Sequence, residues 1–158
     1  MKSRTKINLI VLALYVGTAF SCATDKNQSQ EVANVVAGYL EVKDALVKTD
    51  PEAASMASST LASLSGSLEG DNWGTVHQLA SEMAKQSDVK RQREAFQKLS
   101  EEIYNKVKES GSEATLYKQY CPMAFDNTGA YWLAGEKEIN NPYFGDMMLR
   151  CGRVEEEL

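Results

Sequence analysis

Few of the residues and motifs on which catalysis depends occur in this sequence. Its 158 residues include one histidine, His77, and three cysteines. There is no glycine-rich phosphate loop, no Gly-x-Ser-x-Gly nucleophile elbow and no pair of CxxC motifs of the kind that binds zinc. The carboxylates Glu136, Glu138 and Asp146 share the C-terminal part of the chain, but their spacing does not pair them as a general acid and base. We therefore expect a protein that is not an enzyme.

Positive charge is also scarce. The chain has 17 Lys and Arg residues against 22 Asp and Glu residues, which gives a formal net charge of −5. Three of the positive charges, Lys2, Arg4 and Lys6, lie at the N-terminus, and without them the charge becomes −8. An acidic chain of this kind disfavours nucleic acids and anionic membrane surfaces as partners.

The apolar run near the N-terminus is too short to cross a bilayer, which takes about 20 residues. Ile7–Phe20 has fourteen residues, follows the basic segment and ends just before the small residue Ser21 and then Cys22. This pattern predicts a signal peptide over residues 1–21. Two outcomes are open for Cys22, namely acylation as in bacterial lipoproteins, or ordinary signal-peptidase cleavage that leaves a free thiol.

Acylation of Cys22 is the preferred interpretation, because it leaves Cys121 and Cys151 as an even pair in an oxidising compartment. The protein is then exported to the bacterial envelope and faces the periplasm, with membrane contact through the lipid anchor only. Residues 22–29 are polar and are predicted to form a disordered tether.

Residues 30–158 are predicted to form a single domain that is mainly α-helical. Asp50 and Pro51 are suited to the N-cap and first position of a helix, and Gly111 is suited to end one. Apolar residues at helical spacing predict four helices, at Gln30–Lys48, from Pro51 to about residue 68, at about Trp73–Lys85 and at about Val89–Glu109. Short connections between them indicate an up-down helical bundle.

The remaining residues, about 112–154, are predicted to form a small C-terminal cap that contains a short β-hairpin. Thr115–Tyr120 and Ala130–Leu133 have the composition of strands, with a turn at Asp126–Gly129 between them. Met148–Val154 is either a third short strand or an irregular return. The charged tail Glu155–Leu158 is predicted to fray.

The segment Tyr120–Gly152 is unusually rich in sulfur, with two of the three cysteines and three of the six methionines. Thiolate and thioether groups favour Cu(I) and Ag(I) over harder ions such as Mg²⁺. Cys121 and Met123 would face the same side of an extended backbone, and Met147 and Met148 lie four and three residues before Cys151. A soft-metal site is therefore predicted, and its candidate ligands are Cys121, Met123, Met148 and Cys151, followed by Met147 and His77.

A disulfide is the competing interpretation of the same cysteines, and spacing alone favours it. A disulfide that closes the loop between Cys121 and Cys151 would raise the free energy of unfolding of a small domain by roughly 3–4 kcal/mol. The methionines would then be adaptable core residues, and no metal would bind. A third possibility is a redox-switched pair that binds metal only when it is reduced.

Two further groups of residues have a structural and a functional interpretation. Tyr131, Trp132, Tyr143 and Phe144 are expected to form the core of the cap, whereas Pro142–Gly145 would make a rigid docking surface for a partner if it were exposed. His77 follows the core position Val76, so it is expected at the boundary or surface of the bundle rather than in a ligand set.

At these motifs the chain resembles a bacterial envelope domain family of unknown function. That family occurs alone behind signal peptides and also attached to periplasmic adaptor subunits of RND-type heavy-metal efflux pumps. The resemblance extends over about Val32–Val154, and its motifs are Tyr39–Asp50, Gln92–Phe96, Tyr120–Ala124, Gly129–Leu133, Asn141–Gly145 and Cys151–Gly152.

The resemblance implies a role in metal efflux or copper handling, with an efflux adaptor or another envelope protein as the partner. Heavy-metal-binding modules of related adaptors carry Cys-Pro-Met-His, and Ala124 stands here at the position of that histidine. The second CxxC of those modules is also absent. The leading hypothesis is a lipid-anchored accessory protein that binds a soft metal ion, and the alternative is a disulfide-stapled interaction module that binds no metal.

Overall fold

Four helices are followed by three short strands in the structure, a computed structural model that describes residues 21–68, 73–112 and 114–158 and the side chains from residue 29 onward. The predicted signal peptide, apart from its last residue, and the side chain of Cys22 lie outside the described residues. None of the helices in the described part of the chain combines the length and the hydropathy that a membrane-spanning segment requires.

The predicted helical bundle is confirmed. Its helices are α1 (Ser21–Val47), α2 (Pro51–Gly66), α3 (Gly74–Met83) and α4 (Val89–Ser110). Each helix packs against the next in the chain, and α1 also contacts α4. Asp50 caps α2 by accepting a hydrogen bond from the amide of Ala53, and Asp88 caps α4 in the same way through Lys90.

The first helix begins earlier than the hydrophobic period. Residues 22–29, for which a tether was predicted, belong to α1, which begins at Ser21. The apolar pattern begins only at Val32, where the helix meets the core. Because hydrophobic periodicity indicates only the part of a helix that is buried, it could not predict the polar turns before Val32.

The cap is a three-stranded antiparallel sheet in the order β2-β1-β3. Its strands are β1 (Tyr117–Cys121), β2 (Ala130–Ala134) and β3 (Arg153–Glu157), and β1 pairs with both of the others. The predicted β-hairpin is therefore confirmed as β1 and β2. A four-residue helical turn, Ala124–Asn127, connects β1 to β2, and a 3₁₀ turn at Gly145–Met147 lies between β2 and β3.

The prediction that the charged tail frays is wrong. Glu155–Glu157 lies in β3, and Leu158 exchanges backbone hydrogen bonds of 2.8 and 3.2 Å with Leu116. The charges of the tail are also paired, since Glu156 accepts hydrogen bonds from Lys108 and Tyr104, and these bonds hold the pKa of Glu156 below its ordinary value. The prediction rested on the polar composition of the tail, but pairing with a distant strand holds the tail in the sheet.

Tyr39 connects the bundle to the cap through a chain of buried hydrogen bonds. Its hydroxyl accepts from the amide of Leu133 on β2 at 3.0 Å and donates to Ser100 Oγ on α4 at 2.7 Å. Ser100 in turn donates to the carbonyl oxygen of Phe96 at 2.9 Å, which fixes the direction of the chain. The Tyr39 ring also stacks on Phe96 with 5.0 Å between centroids.

We expect the free energy of unfolding to fall as the pH rises above the ordinary tyrosine pKa of 10.0. Burial raises the pKa of Tyr39 and that of Tyr143 above this value. Such a group ionises first in the unfolded chain, so the stability it contributes is complete below the unfolded pKa and is lost as the pH rises toward the folded one. Urea unfolding of the full chain at increasing alkaline pH measures this loss. Tyr39→Phe should make the pH dependence shallower, and an unchanged dependence would contradict the assignment.

Candidate functional site

The two cysteines of the cap lie side by side. Cys121 ends β1, and Cys151 stands two residues before β3, whose Arg153 pairs with Tyr120. The two Sγ atoms are 3.0 Å apart, and both residues are free thiols in the structure. Cys121 is fully buried, whereas Cys151 is partly exposed, so solvent has access to the pair through Cys151.

The surroundings of Cys151 favour its neutral form. The hydrogen bond with Cys121 is the main cause that raises the pKa of the Cys151 thiol, and burial adds to it. A hydrogen bond from the backbone of Met123 acts in the opposite direction and lowers this pKa. Because thiolates are the metal-binding form, any metal at this pair has to displace protons.

Asn141 is a positioning residue of the site, and the sequence analysis named it only as the start of the Asn141–Gly145 motif. It is fully buried, and its Nδ2 donates to the carbonyl oxygen of Cys151 at 2.7 Å. Its Oδ1 accepts from the amide of Tyr143 at 2.9 Å, and its own amide donates to the carbonyl oxygen of Leu149. Asn141 therefore holds the return segment against the Cys151 backbone.

The three methionines of the cap share one surface feature, which we call the methionine groove. This open cavity of about 630 Å³ is lined by Met123, Met147, Met148, Phe125, Tyr143 and Phe144. Met123 and Met147 are exposed, and Met148 is half-buried. The cysteines do not line the groove, but they adjoin it, because the Met123 backbone contacts Cys151 and the Cys151 amide donates to the Met148 carbonyl oxygen at 3.0 Å.

His77 is not brought to the sulfur-rich cap. It lies on α3, and its Nδ1 is 2.8 Å from the carbonyl oxygen of Ala62 on α2, which is the distance of a hydrogen bond. Its side chain also packs beside Gly66, where an added Cβ would meet Nδ1 at 2.8 Å. The contacts of His77 thus tie α3 to α2.

The proposed docking surface at Pro142–Gly145 is mostly buried. Pro142, Tyr143 and Gly145 are buried, and only Phe144 is half-exposed. Tyr143 lies among other rings, with Trp132 at 5.8 Å and Phe125 at 5.2 Å between centroids. The exposed part of this segment is therefore the Phe144 wall of the methionine groove.

Arg93 is the residue at this site that sequence reasoning missed. It is buried, and its Nε donates to the carbonyl oxygen of Pro142 at 2.8 Å. Its Nη2 donates to the carbonyl oxygen of Leu46 at 3.1 Å and to Thr49 Oγ1 at 3.0 Å. A signal was present, because Arg93 continues the helical core spacing of Phe96, Ser100, Ile103 and Val107 on α4.

Within the described residues, no group of three or more His, Cys, Asp or Glu side chains is placed to hold a metal ion. That set of ligands does not include thioethers, which the methionine groove supplies beside the cysteine pair. Of the predicted ligands, the structure brings Cys121 and Cys151 together and places Met123, Met147 and Met148 in the adjoining groove, so the soft-metal site stays a prediction.

Residues 35–115 match a family described as "Protein of unknown function (DUF3347)", and this match covers just over half of the chain. The chain belongs to the DUF3347 family. The matched region starts inside α1 and ends two residues before β1, so it contains the helical bundle, while the cap lies beyond it. Comparisons with curated proteins and with solved structures gave no match.

Proposed function

We propose that this protein is a non-enzymatic carrier of a soft metal ion, Cu(I) or Ag(I). The observation that carries the proposal is the pair of thiols, Cys121 and Cys151, 3.0 Å apart beside a groove lined by three methionines. Sulfur ligands of both kinds select Cu(I) and Ag(I) over harder ions. The metal is the cargo of the protein, so no reaction step is required of the chain.

Each ligand has a distinct position in this proposal. Cys121 and Cys151 are the primary ligands and bind as thiolates after losing their protons. We assign Met123 and Met148 as the thioether donors, because the backbone of each contacts Cys151. Met147, at 76% exposure, lies at the mouth of the groove and would meet an arriving ion first. His77 has no part in this site.

The cellular context is proposed from the sequence resemblance. An acylated Cys22 would hold the protein at a bacterial membrane facing the periplasm, and an RND-type efflux adaptor would receive the metal. Release to such a partner requires an accessible site, and the partial exposure of Cys151 beside an open groove is compatible with ligand exchange.

Cu(I) titration against a competing chelator, under anaerobic and reducing conditions, tests the proposal. The full chain with Cys22→Ser leaves Cys121 and Cys151 as the only thiols. We expect one tightly bound Cu(I) per chain and weaker binding at lower pH, because protons compete for both sulfurs. Met123→Leu combined with Met148→Leu should weaken binding by about tenfold or more, equivalent to about 1.4 kcal/mol.

Met56→Leu is the matched control for the methionine variant. Met56 is also exposed, at 67%, but it lies on α2 outside the methionine groove. Its replacement should leave the Cu(I) affinity unchanged. Equal losses in the two methionine variants, or a reduced chain that does not compete with the chelator, would overturn the metal proposal.

The alternative function, a disulfide-stapled interaction module, is favoured by the same proximity of the two sulfurs. A bonded pair has an S–S distance of about 2.0 Å, so a movement of roughly 1 Å would close the disulfide from the observed positions. A thiol count on the Cys22→Ser chain as isolated separates the two functions. No free thiol, together with no Cu(I) binding after reduction, would support the interaction module.

A further inference from the structure

The methionine groove has a cationic wall that metal binding does not use. Lys90 and Arg93, both on the first turns of α4, line the groove opposite its sulfur and aromatic side chains. The Arg93 side chain donates three hydrogen bonds, all of them to uncharged oxygens. Neither Lys90 nor Arg93 forms an ion pair with a carboxylate of the described residues.

A buried guanidinium without a counter-ion is unusual, because removing a charge from water is costly unless the charge is paired. Arg93 is only 8% exposed, and its burial lowers the pKa of the guanidinium. Arginine nevertheless stays protonated in proteins, so the positive charge persists. It is partly offset by the carbonyl oxygen of Leu46, in the last turn of α1, where the helix dipole is negative.

One edge of this guanidinium is still available. Nε and Nη2 of Arg93 carry its hydrogen bonds, whereas Nη1 has no hydrogen-bond partner in the described part of the chain. Because Arg93 lines the methionine groove, a group entering the groove can meet this donor. Guanidinium donors are well suited to carboxylates, and such charge-assisted bonds are about twice as strong as neutral ones.

We propose that the methionine groove binds a small monocarboxylate with an apolar body. The carboxylate pairs with Arg93 and Lys90, and the apolar body lies against Met123, Phe125 and Phe144. The volume of about 630 Å³ is within the range of about 300–1,000 Å³ that is typical of small-molecule sites. Glu94 and Asp126 also line the groove and are exposed, so a second negative charge on the ligand would be repelled.

The backbone at Phe125–Asn127, on the cap side of the groove, supports a binding role for the methionine groove. Phe125, Asp126 and Asn127 have φ angles of 52°, 57° and 68°, which is the left-handed region that residues other than glycine seldom adopt. Strained backbone of this kind clusters at ligand clamps and active sites. Here it turns the chain so that the Phe125 ring packs on Tyr143, at 5.2 Å between centroids, within the lining of the groove.

Methionine-methyl NMR on the full chain tests this site without depending on metal. With 3-phenylpropionate as the probe, we expect saturable shifts of the Met123, Met147 and Met148 methyl resonances. Met56, which is exposed elsewhere, and Met83, which is fully buried, should not move. The neutral amide of the same acid should bind at least about tenfold more weakly, because it lacks the charge that Arg93 and Lys90 recognise.

Two comparisons complete the test. Lys90→Ala should weaken phenylpropionate binding by about threefold, since an exposed charge contributes modestly and its removal should not disturb the fold. An acetylated tripeptide ending in phenylalanine, as the free acid and as the amide, shows whether the carboxylate is recognised on a peptide end or only on a small acid. Equal affinity for acid and amide, or shifts that include Met56 to the same extent, would overturn the proposal. These results are independent of the Cu(I) titration, so the two proposals can fail separately.

Discussion

Arg93→Met is expected to lower the free energy of unfolding by about 3–5 kcal/mol, among the largest losses from one substitution in this chain. Arg93 is bonded to oxygens from two distant parts of the chain, Leu46 and Thr49 at the end of α1 and Pro142 in the cap. Hydrogen bonds to a charged group contribute roughly 1.5–3 kcal/mol each, and removing the donor leaves buried acceptors without partners. Methionine fills most of the volume, so the loss comes chiefly from the hydrogen bonds.

Arg91→Met is the matched control for this substitution. Arg91 lies two residues earlier on the same helix, but it is exposed and has no ion pair with the described residues. Its replacement should change the stability by no more than about 0.5 kcal/mol. Urea unfolding of both variants, followed by circular dichroism, measures the difference. Similar small losses in the two variants would show that Arg93 does not clamp the cap.

Gly145→Ala is expected to lower the free energy of unfolding by about 2–4 kcal/mol, because it adds backbone strain to a steric clash. Gly145 has a φ of +57°, which costs an alanine roughly 1 kcal/mol. A Cβ at this position would also lie 2.2 Å from Thr49 Oγ1 and 2.9 Å from the carbonyl oxygen of Val47. The second contact is with backbone, so the cap has to move away from the end of α1.

Two other glycines separate the causes of this loss. An added Cβ at Gly111 would meet nothing within 4 Å, but φ of 77° with ψ of 172° is a conformation almost restricted to glycine, so Gly111→Ala should show a backbone cost alone, about 1–3 kcal/mol. Gly74 has neither a positive φ nor a close neighbour, and Gly74→Ala at the first position of α3 should be neutral or stabilising by up to about 1 kcal/mol. Urea unfolding of the three variants measures both losses against Gly74→Ala, and a Gly145→Ala loss of less than about 1 kcal/mol would contradict the clash.

The helical bundle was predictable because its signals are local. Periodic apolar residues, the caps at Asp50 and Gly111 and the short connections between helices all lie within one or two turns of the structure that they specify. The hairpin of β1 and β2 was predictable for the same reason, since its strands adjoin each other in the chain.

The remaining features arise from contacts between distant residues. β3 depends on pairing with β1, some 35 residues earlier in the chain. The sequence offered a third strand at Met148–Val154 as one of two alternatives, but the strand begins at Arg153 and extends through the glutamates, which contain no local sign of that pairing. The methionine groove depends on the packing of the cap against α4, so the sequence could suggest its sulfur side chains but not its cationic wall. Both hypotheses, soft-metal binding and a disulfide staple, require Cys121 and Cys151 to lie close together. The pairing of β1 with β3 brings them together in the fold.

The polar ties between bundle and cap also have a thermodynamic consequence. Tyr39 bonds to Leu133, Lys43 is buried and pairs with Glu136, and Arg93 bonds to Pro142. If the cap opened alone, Lys43 would lose Glu136 and keep only Asp44 as its ion-pair partner, and Arg93 would lose one of its three hydrogen bonds. Opening of the sheet thus breaks several buried polar contacts at once, so we expect the amide of Leu133 to exchange with solvent as slowly as the amides of the bundle core.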